Sequence, residues 1–426
     1  MRLKVFGHLL VCRPAIFAWL FCLLVSLSPE LLAQQQQRDL DYYLNAGLAN
    51  SPMLFDSTNQ FKANQLDSLK ILAGFRPQVT STGNITVPPV IGKFGYDSAI
   101  TNGGNYSGVV TAEQQLFNGR PRKVQFQNIT LLNQALRLNV QLSEIDLKKS
   151  ITAQYITAYS DLNQVEFNRN LLKILQDEQP ALKKLVENGV YLQTDYLNLN
   201  VSIQTQLIAL KKAAIQYRDD LYALNLLCGI NDRSEVILLK PEIPLRSAFF
   251  IQNSPQMQRF RIDSLRLRAS RELIDLHYRP RLSAFADAGV NAINPRNIPH
   301  NIGTSFGLNF TAVIYDGRQR RLEYNRLMLR EITRQKYRDF YSSQYQTRLY
   351  QLQDRLNATD ELIAEIREQI AAQQRLLDMY KVEIANGLVR FTDFIINVTS
   401  YTNTRNNLVQ AENDRLQILN ELNYLK

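Results

Sequence analysis

Histidine and cysteine are scarce in this chain, and their scarcity removes whole classes of chemistry. Of three histidines only His277 and His300 lie beyond the first 33 residues, and of three cysteines only Cys228 does. No metal-ligand spacing, phosphate-binding loop or nucleophile elbow is present, so nothing points to a catalytic residue, a metal or a cofactor. One remaining cysteine forms no intrachain disulfide, and packing alone must hold the chain together. Beyond residue 33 no apolar run reaches the roughly 20 residues a membrane helix needs. Interior glycine is missing from two long stretches, and proline is almost so. Between Gly119 and Asn188 there is no interior glycine and, past the first turn, one proline, Pro180; between Gly317 and Asn386 there is neither.

The first 33 residues have a different character. Arg2, Lys4 and Arg13 precede the apolar run from Ala15 to Val25, and Leu31-Leu32-Ala33 leads into Gln34-Gln35-Gln36-Gln37. A basic start, a short apolar core and a small residue before a polar segment describe a cleavable secretory signal. An uncleaved anchor is the alternative, for which the apolar core is short. Cys22 follows the bulky Trp19-Leu20-Phe21, which argues against a lipid anchor there. The leader holds three Lys/Arg and one acidic residue, which leaves 46 basic against 38 acidic residues, a net of +8. That excess is spread along the chain. A nucleic-acid partner fits an exported protein poorly, and a solvated helical surface accounts for the charge.

What is present is a duplication. Asn50-Ser51-Pro52 recurs as Asn253-Ser254-Pro255, and Phe75-Arg76-Pro77 as Tyr278-Arg279-Pro280, both offset by 203 positions. Leu116-Phe117-Asn118-Gly119-Arg120 recurs as Ile314-Tyr315-Asp316-Gly317-Arg318, and Asn188-Gly189 with Asp195 recurs as Asn386-Gly387 with Asp393, both offset by 198. Two tandem copies of one unit are expected. After a signal peptide at 1–33, the first unit takes residues 34–230: an entry helix, a strand hairpin at about 75–117, and a helical hairpin at about 119–228. The second takes residues 231–426: a linker and entry helix, strands at about 279–315, and helices at about 317–425.

The strand segments alternate with period two. Val79, Ser81, Gly83, Ile85 and Val87 interleave with Thr80, Thr82, Asn84 and Thr86; Phe306, Leu308, Phe310, Ala312 and Ile314 interleave with Ser305, Gly307, Asn309 and Thr311. Their partners run from Tyr106 to Phe117 and from Leu282 to Val290. Such lengths suit membrane-barrel strands of about 9–11 residues, although soluble hairpins share the pattern. The glycine-free stretches carry a 4-3 apolar spacing: Leu131, Ala135, Leu138, Leu142 and Ile145 in the first, and Tyr345, Leu349, Leu352, Leu356, Ile363, Ile366, Ile370 and Leu377 in the second. That is a coiled-coil seam. At 1.5 Å per residue each helix spans roughly 100 Å. Each ends at an Asn-Gly that admits positive φ.

Four strands cannot close a barrel, and open sheet edges are not tolerated in lipid. The smallest membrane barrels have about eight strands, so four per chain forces an oligomer. Three copies give twelve strands and twelve long helices.

In this order, twice and at matched spacing, the motifs resemble the TolC-like outer-membrane efflux proteins over essentially the whole chain beyond the leader. The resemblance implies an α+β membrane protein. It would form a homotrimer with a twelve-stranded outer-membrane β-barrel and a periplasmic α-barrel of coiled-coil helical hairpins. It implies a passive exit duct of a tripartite efflux pump or type I secretion system, seated in outer-membrane lipid of a Gram-negative bacterium and reaching into the periplasm. Its partners would be a periplasmic adaptor and an inner-membrane pump of RND or ABC type. The working end would be the periplasmic tip, where Asn188, Gly189, Asp195, Asn386 and Gly387 are the expected adaptor contacts. Asp393 and Arg390 are the candidate gate, a ring of carboxylates favouring cations or holding a neighbour's Arg390. Asp195 and Asp393 also sit where a carboxylate complements a helix dipole, and the Asn-Gly pairs are turn formers first. Some relatives carry a second aspartate where Ile396 stands here. Phe75, Phe94, Tyr96, Phe117, Tyr278 and Tyr315 lie near strand ends, as interfacial belts or as packing residues. The alternative reading is a periplasmic adaptor or a coiled-coil scaffold of the envelope. An adaptor should have one hairpin flanked by β domains, whereas this sequence has two hairpins; a scaffold leaves the paired strands unexplained.

Overall fold

Asn-Ser-Pro is a helix start, and it opens the same series of elements in both halves. The structure, a computed structural model, describes residues 36–89, 91, 94, 104–245 and 251–425. The expected signal peptide, its cleavage site and Tyr96 lie outside them. In chain order the main elements are β1 (Gln36–Arg38), α1 (Leu40–Asn50), α2 (Pro52–Gly74), β2 (Gln78–Thr86), β3 (Asn105–Gln115), α3 (Gly119–Glu187) and α4 (Gln193–Leu227). There follow β4 (Val236–Leu238), α5 (Pro255–His277), β5 (Arg281–Ala292), β6 (Ile302–Thr311), α6 (Gln319–Ala385) and α7 (Phe391–Asn423). At the head of α2 the Ser51 hydroxyl accepts from Leu54 N at 3.5 Å, and at the head of α5 Ser254 accepts from Met257 N at 3.1 Å. Pro52 and Pro255 sit at the first helical position, where the missing N–H costs nothing.

Two helices set the length of the molecule. α3 has 69 residues and α6 has 67, each roughly 100 Å at 1.5 Å per residue. Neither has one partner along its whole length. α4 covers the part of α3 far from the sheet, where Gln206 Nε2 donates to Asn168 Oδ1 at 2.8 Å, and α2 covers the near part, where Asn64 donates to Asn133 at 2.9 Å. In the same way α7 covers the far part of α6, with Arg367–Glu412 at 2.6 Å, and α5 the near part, with Ser264 to Glu331 at 3.4 Å. The long helices are thus continuous struts whose facing layer is made of two shorter pieces. α3 also packs on α5 and α7, which welds the halves together. Asn420 Nδ2 donates to Lys149 O at 3.0 Å and Gln417 Nε2 to Ala153 O at 2.9 Å across that seam.

The apolar spacing of the long helices is their packed edge. Tyr345, Leu352, Leu356, Ile363, Ile366 and Leu377 are buried along α6, and Leu131, Ala135, Leu138 and Leu142 along α3. Halfway along, β1 pairs in parallel with β4, and these strands with α1 close a core of Tyr43, Ile151, Tyr155, Leu221, Leu224 and Cys228 over α3 and α4. Tyr155 Oη donates to the Leu239 carbonyl at 2.7 Å. Cys228 is free and buried, and burial pushes its thiol up to about 12.

At one end of the helices lies one antiparallel sheet of order β2-β3-β5-β6. Register assigns its faces. The row Val79–Ala112–Ala286–Phe306 is apolar, whereas the adjacent row Thr80–Thr111–Asp287–Ser305 is polar and lies on the other side. The apolar side is open: Val79, Ile85, Leu308 and Phe310 are exposed, and Phe306 is 90% exposed. Both outer edges, β2 and β6, lack a partner among the described residues. β3 and β6 end earlier than their alternation suggests, whereas β5 runs on to Ala292. β6 stops at Thr311, whose partner Arg281 follows Pro280; proline has no N–H to extend the ladder, so Ala312 and Ile314 fall outside. β3 stops at Gln115, two residues before Phe117 turns to φ 56°. Among the described residues no helix is long and apolar enough to cross a membrane.

Candidate functional site

The end of the helices far from the sheet is built from two turns of one design. Asn188 ends α3, Gly189 takes φ 73°, Gly189 N donates to Val186 O at 3.0 Å and Val190 N to Leu185 O at 2.9 Å. Asn386 ends α6, Gly387 takes φ 69°, and Gly387 N and Leu388 N donate to Ile384 O and Glu383 O at 3.1 and 3.0 Å. This double bond around a left-handed glycine is the Schellman stop. The two glycines differ in their surroundings. A Cβ on Gly189 would meet nothing within 4 Å, but one on Gly387 would come within 2.6 Å of Val190 Cγ1. The second turn therefore sits hard against the first.

Two things hold the turns together. One is a hydrophobic cluster shared by all four helix ends, with Leu182 and Leu199 from the first hairpin and Leu377, Ile384, Phe391 and Phe394 from the second. The other is Tyr191. Its hydroxyl donates to the Val389 carbonyl at 2.7 Å and stands 3.2 Å from the Ile384 carbonyl, so a side chain of the first turn closes on the backbone of the second. Burial, and then the charge of Asp195, push the phenol upward from its ordinary range, which keeps it a donor.

The candidate carboxylates, equivalent in sequence, have different partners. Asp195 accepts from the Leu192 backbone N–H at 3.1 Å and so stabilises the start of α4. Asp393 instead receives Arg390 Nε at 3.2 Å, within its own chain. Arg390 is 85% exposed and the Asp393 side chain 34%. The chain thus brings Asn188, Gly189, Asp195, Asn386, Gly387, Arg390 and Asp393 to one end of the molecule, with Ile396 exposed beside them. Tyr191 was legible only as part of a turn, because its acceptors are carbonyls some 193 and 198 residues away.

A second feature was not visible in the sequence. Asp161 on α3 faces Asp220 on α4. Burial raises the Asp161 carboxyl to about 7, and its hydrogen bond to Asp220 and that neighbour's charge add to the effect. Burial acts upward on Asp220 too, but hydrogen bonds from Asp161, Gln216 and Gln154 outweigh it and hold it low. Gln154 reaches Asp220 Oδ1 at 2.9 Å and Gln216 reaches Oδ2 at 2.6 Å. The two carboxyls are therefore pushed in opposite directions, Asp161 up and Asp220 down. Among the described residues no group of three or more His, Cys, Asp or Glu is placed to hold a metal ion.

No protein-family model and no curated protein matches the sequence. Solved structures do match the fold. The chain is similar to CusC, described for folding and transmembrane channel formation, at a TM-score of 0.73 and 13% identity over 91% of each chain. It is similar to the outer-membrane protein VceC of Vibrio cholerae at 0.72 and 15%, over 91% of this chain and 95% of that one. The CmeC outer-membrane channel of Campylobacter jejuni matches at 0.72 and 10%, over 91% and 85%.

Proposed function

Because the chain has the fold of the TolC-like outer-membrane channels, we propose that it is an outer-membrane exit duct for efflux or type I secretion, working as a passive homotrimer. The observation that carries this reading is the sheet. It exposes a full apolar face, turns a polar face to the other side and leaves both edges unpaired among the described residues. In water such a sheet would aggregate through its edges. In a bilayer it is stable only if closed. Three copies, each adding four strands edge to edge, close a twelve-stranded barrel with the apolar face to lipid and the Asp287 face to a water-filled lumen. Strands of 9, 11, 12 and 10 residues reach or slightly exceed the span of a tilted barrel strand, about 9–11 residues.

The helices then continue the lumen into the periplasm. The two turned ends form the tip that meets a periplasmic adaptor and, through it, an inner-membrane pump of RND or ABC type. Within each protomer the Tyr191 contact and the shared cluster hold the two hairpins closed; opening separates them. The domain division follows the duplication, 34–230 and 231–426, behind a cleaved leader at 1–33. An adaptor or scaffold role gives the exposed apolar sheet nothing to do.

Single-channel conductance of the protein without its leader, with its detergent-solubilised mass measured alongside, tests the reading. A trimer that inserts and conducts supports the duct. A monomer that never inserts overturns it.

A further inference from the structure

The fold concentrates basic side chains at one level of the molecule. Four segments meet where the sheet joins the helices: residues 75–78, 115–123, 277–282 and 311–321. Together they hold nine Lys/Arg and one acidic residue, Asp316. Asp316 is occupied in capping α6, accepting from Arg318 N at 2.8 Å and Arg320 N at 2.9 Å. Arg320 is paired with Asp275 at 2.5 Å. Arg120 and Arg279 are exposed and have no carboxylate partner among the described residues. The two come from different halves of the chain, so the charge excess that looks dispersed in sequence is gathered by the fold.

Arg120 and Arg279 line a cleft of about 530 Å³ together with Leu116, Phe117, Leu282 and Phe310. Leu282 and Phe310 face each other across β5 and β6 on the apolar side of the sheet. Phe117 stands out at 86% exposure, held at φ 56°. A left-handed backbone is unfavourable for an aromatic residue, and such strain gathers where a side chain is held for use. Most of the cleft comes from the chain just after β3 and just before β5, the two central strands, so closing the sheet through its edges leaves it open. Its chemistry is amphiphilic: guanidinium groups stand at the end of an apolar band.

We propose that this rim binds an anionic phospholipid of the periplasmic leaflet, its phosphate against Arg120 and Arg279 and its acyl chains along Phe117, Leu282 and Phe310. The inference rests on the outer-membrane reading, since it needs the sheet in a bilayer with the helices on the periplasmic side. A free phosphate would satisfy the arginines and leave the apolar wall bare.

The chain has one tryptophan, Trp19 in the leader, so Phe117→Trp in the protein without its leader creates a single reporter at the rim. The trimer is reconstituted into phosphatidylcholine vesicles carrying equal mole fractions of brominated phosphatidylglycerol or brominated phosphatidylcholine. Brominated phosphatidylglycerol should quench residue 117 more strongly, each arginine favouring it by roughly fivefold or less. Adding Arg120→Gln and Arg279→Gln should erase the difference. Equal quenching by both lipids overturns the anionic preference while leaving the duct intact. Protein that floats with the vesicles but is quenched by neither lipid overturns the rim as a lipid contact. Protein that does not float overturns the outer-membrane reading as well.

Discussion

The phenol of Tyr191 donates to the backbone carbonyl of Val389 at 2.7 Å, and this one bond joins the turn of the first helical hairpin to the turn of the second. Because the acceptor is a main-chain carbonyl, which every residue type keeps, no side-chain substitution at position 389 removes it. Tyr191→Phe removes the donor and keeps the ring in its cluster. The loss is about 0.5–1.5 kcal/mol. If opening separates the two turns as proposed, the variant should raise the frequency of conducting events in planar bilayers without altering trimer mass. Unchanged gating would mean that the hydrophobic cluster alone holds the tip.

Arg390 is exposed and Asp393 half-buried beside it, so their influence should be felt by ions more than by the fold. Arg390→Ala leaves three uncompensated carboxylates in a trimer and should move the reversal potential in a salt gradient toward cation selectivity. Asp393→Ala should move it the other way. Both shifts should shrink as salt rises from about 0.1 M to 1 M, where the Debye length falls from roughly 10 Å to 3 Å. If neither variant moves the reversal potential, these residues do not line the conducting path.

Gly189→Ala and Gly387→Ala separate backbone strain from crowding. Each forces alanine into the left-handed region, at a cost of about 1–2 kcal/mol. Only the second also drives a methyl into Val190. Gly387→Ala should therefore be the more destabilising in denaturant unfolding, and adding Val190→Ala should return it to the level of Gly189→Ala. Equal stability of the two single variants would show that Val190 gives way to the added methyl without cost.

Asp161 gives the helical layer a pH dependence with a definite sign. Its carboxyl rests at about 7 in the folded chain and 3.8 as its ordinary value, so the folded state holds the extra proton between those limits. Stability tied to it is present below about 4, declines as pH rises, and is gone above about 7. Asp161→Asn keeps a neutral side chain at every pH. Melting temperature of the wild type should fall between those limits, while that of the variant should stay flatter. Parallel melting profiles would show that the raised Asp161 carboxyl has no weight in stability.

Much of the architecture is written locally and was legible for that reason. Ser51 before Pro52 and Ser254 before Pro255 start helices through contacts within three residues. Gly189 and Gly387 stop helices through a backbone conformation that glycine adopts freely. The 4-3 spacing from Tyr345 to Leu377 places one edge of α6 in the interior, and period-two alternation places Val79 and Phe306 on one face of the sheet.

Matched motifs did not guarantee matched geometry. In the first copy of the Asn/Asp-Gly-Arg motif the positive φ falls on Phe117; in the second it falls on Gly317 and Arg318, with Asp316 capping the helix. The sequence by itself determined where the long helices start and stop and which side of each element is apolar, because those depend on residues a few positions apart. Only the tertiary structure decided the rest: that Tyr191 meets Val389, that Asp161 meets Asp220, and that arginines from both halves converge at the end of the sheet. Those pairings join residues about 60 to 200 positions apart, and they are set by which helix packs on which, a choice that no local pattern encodes.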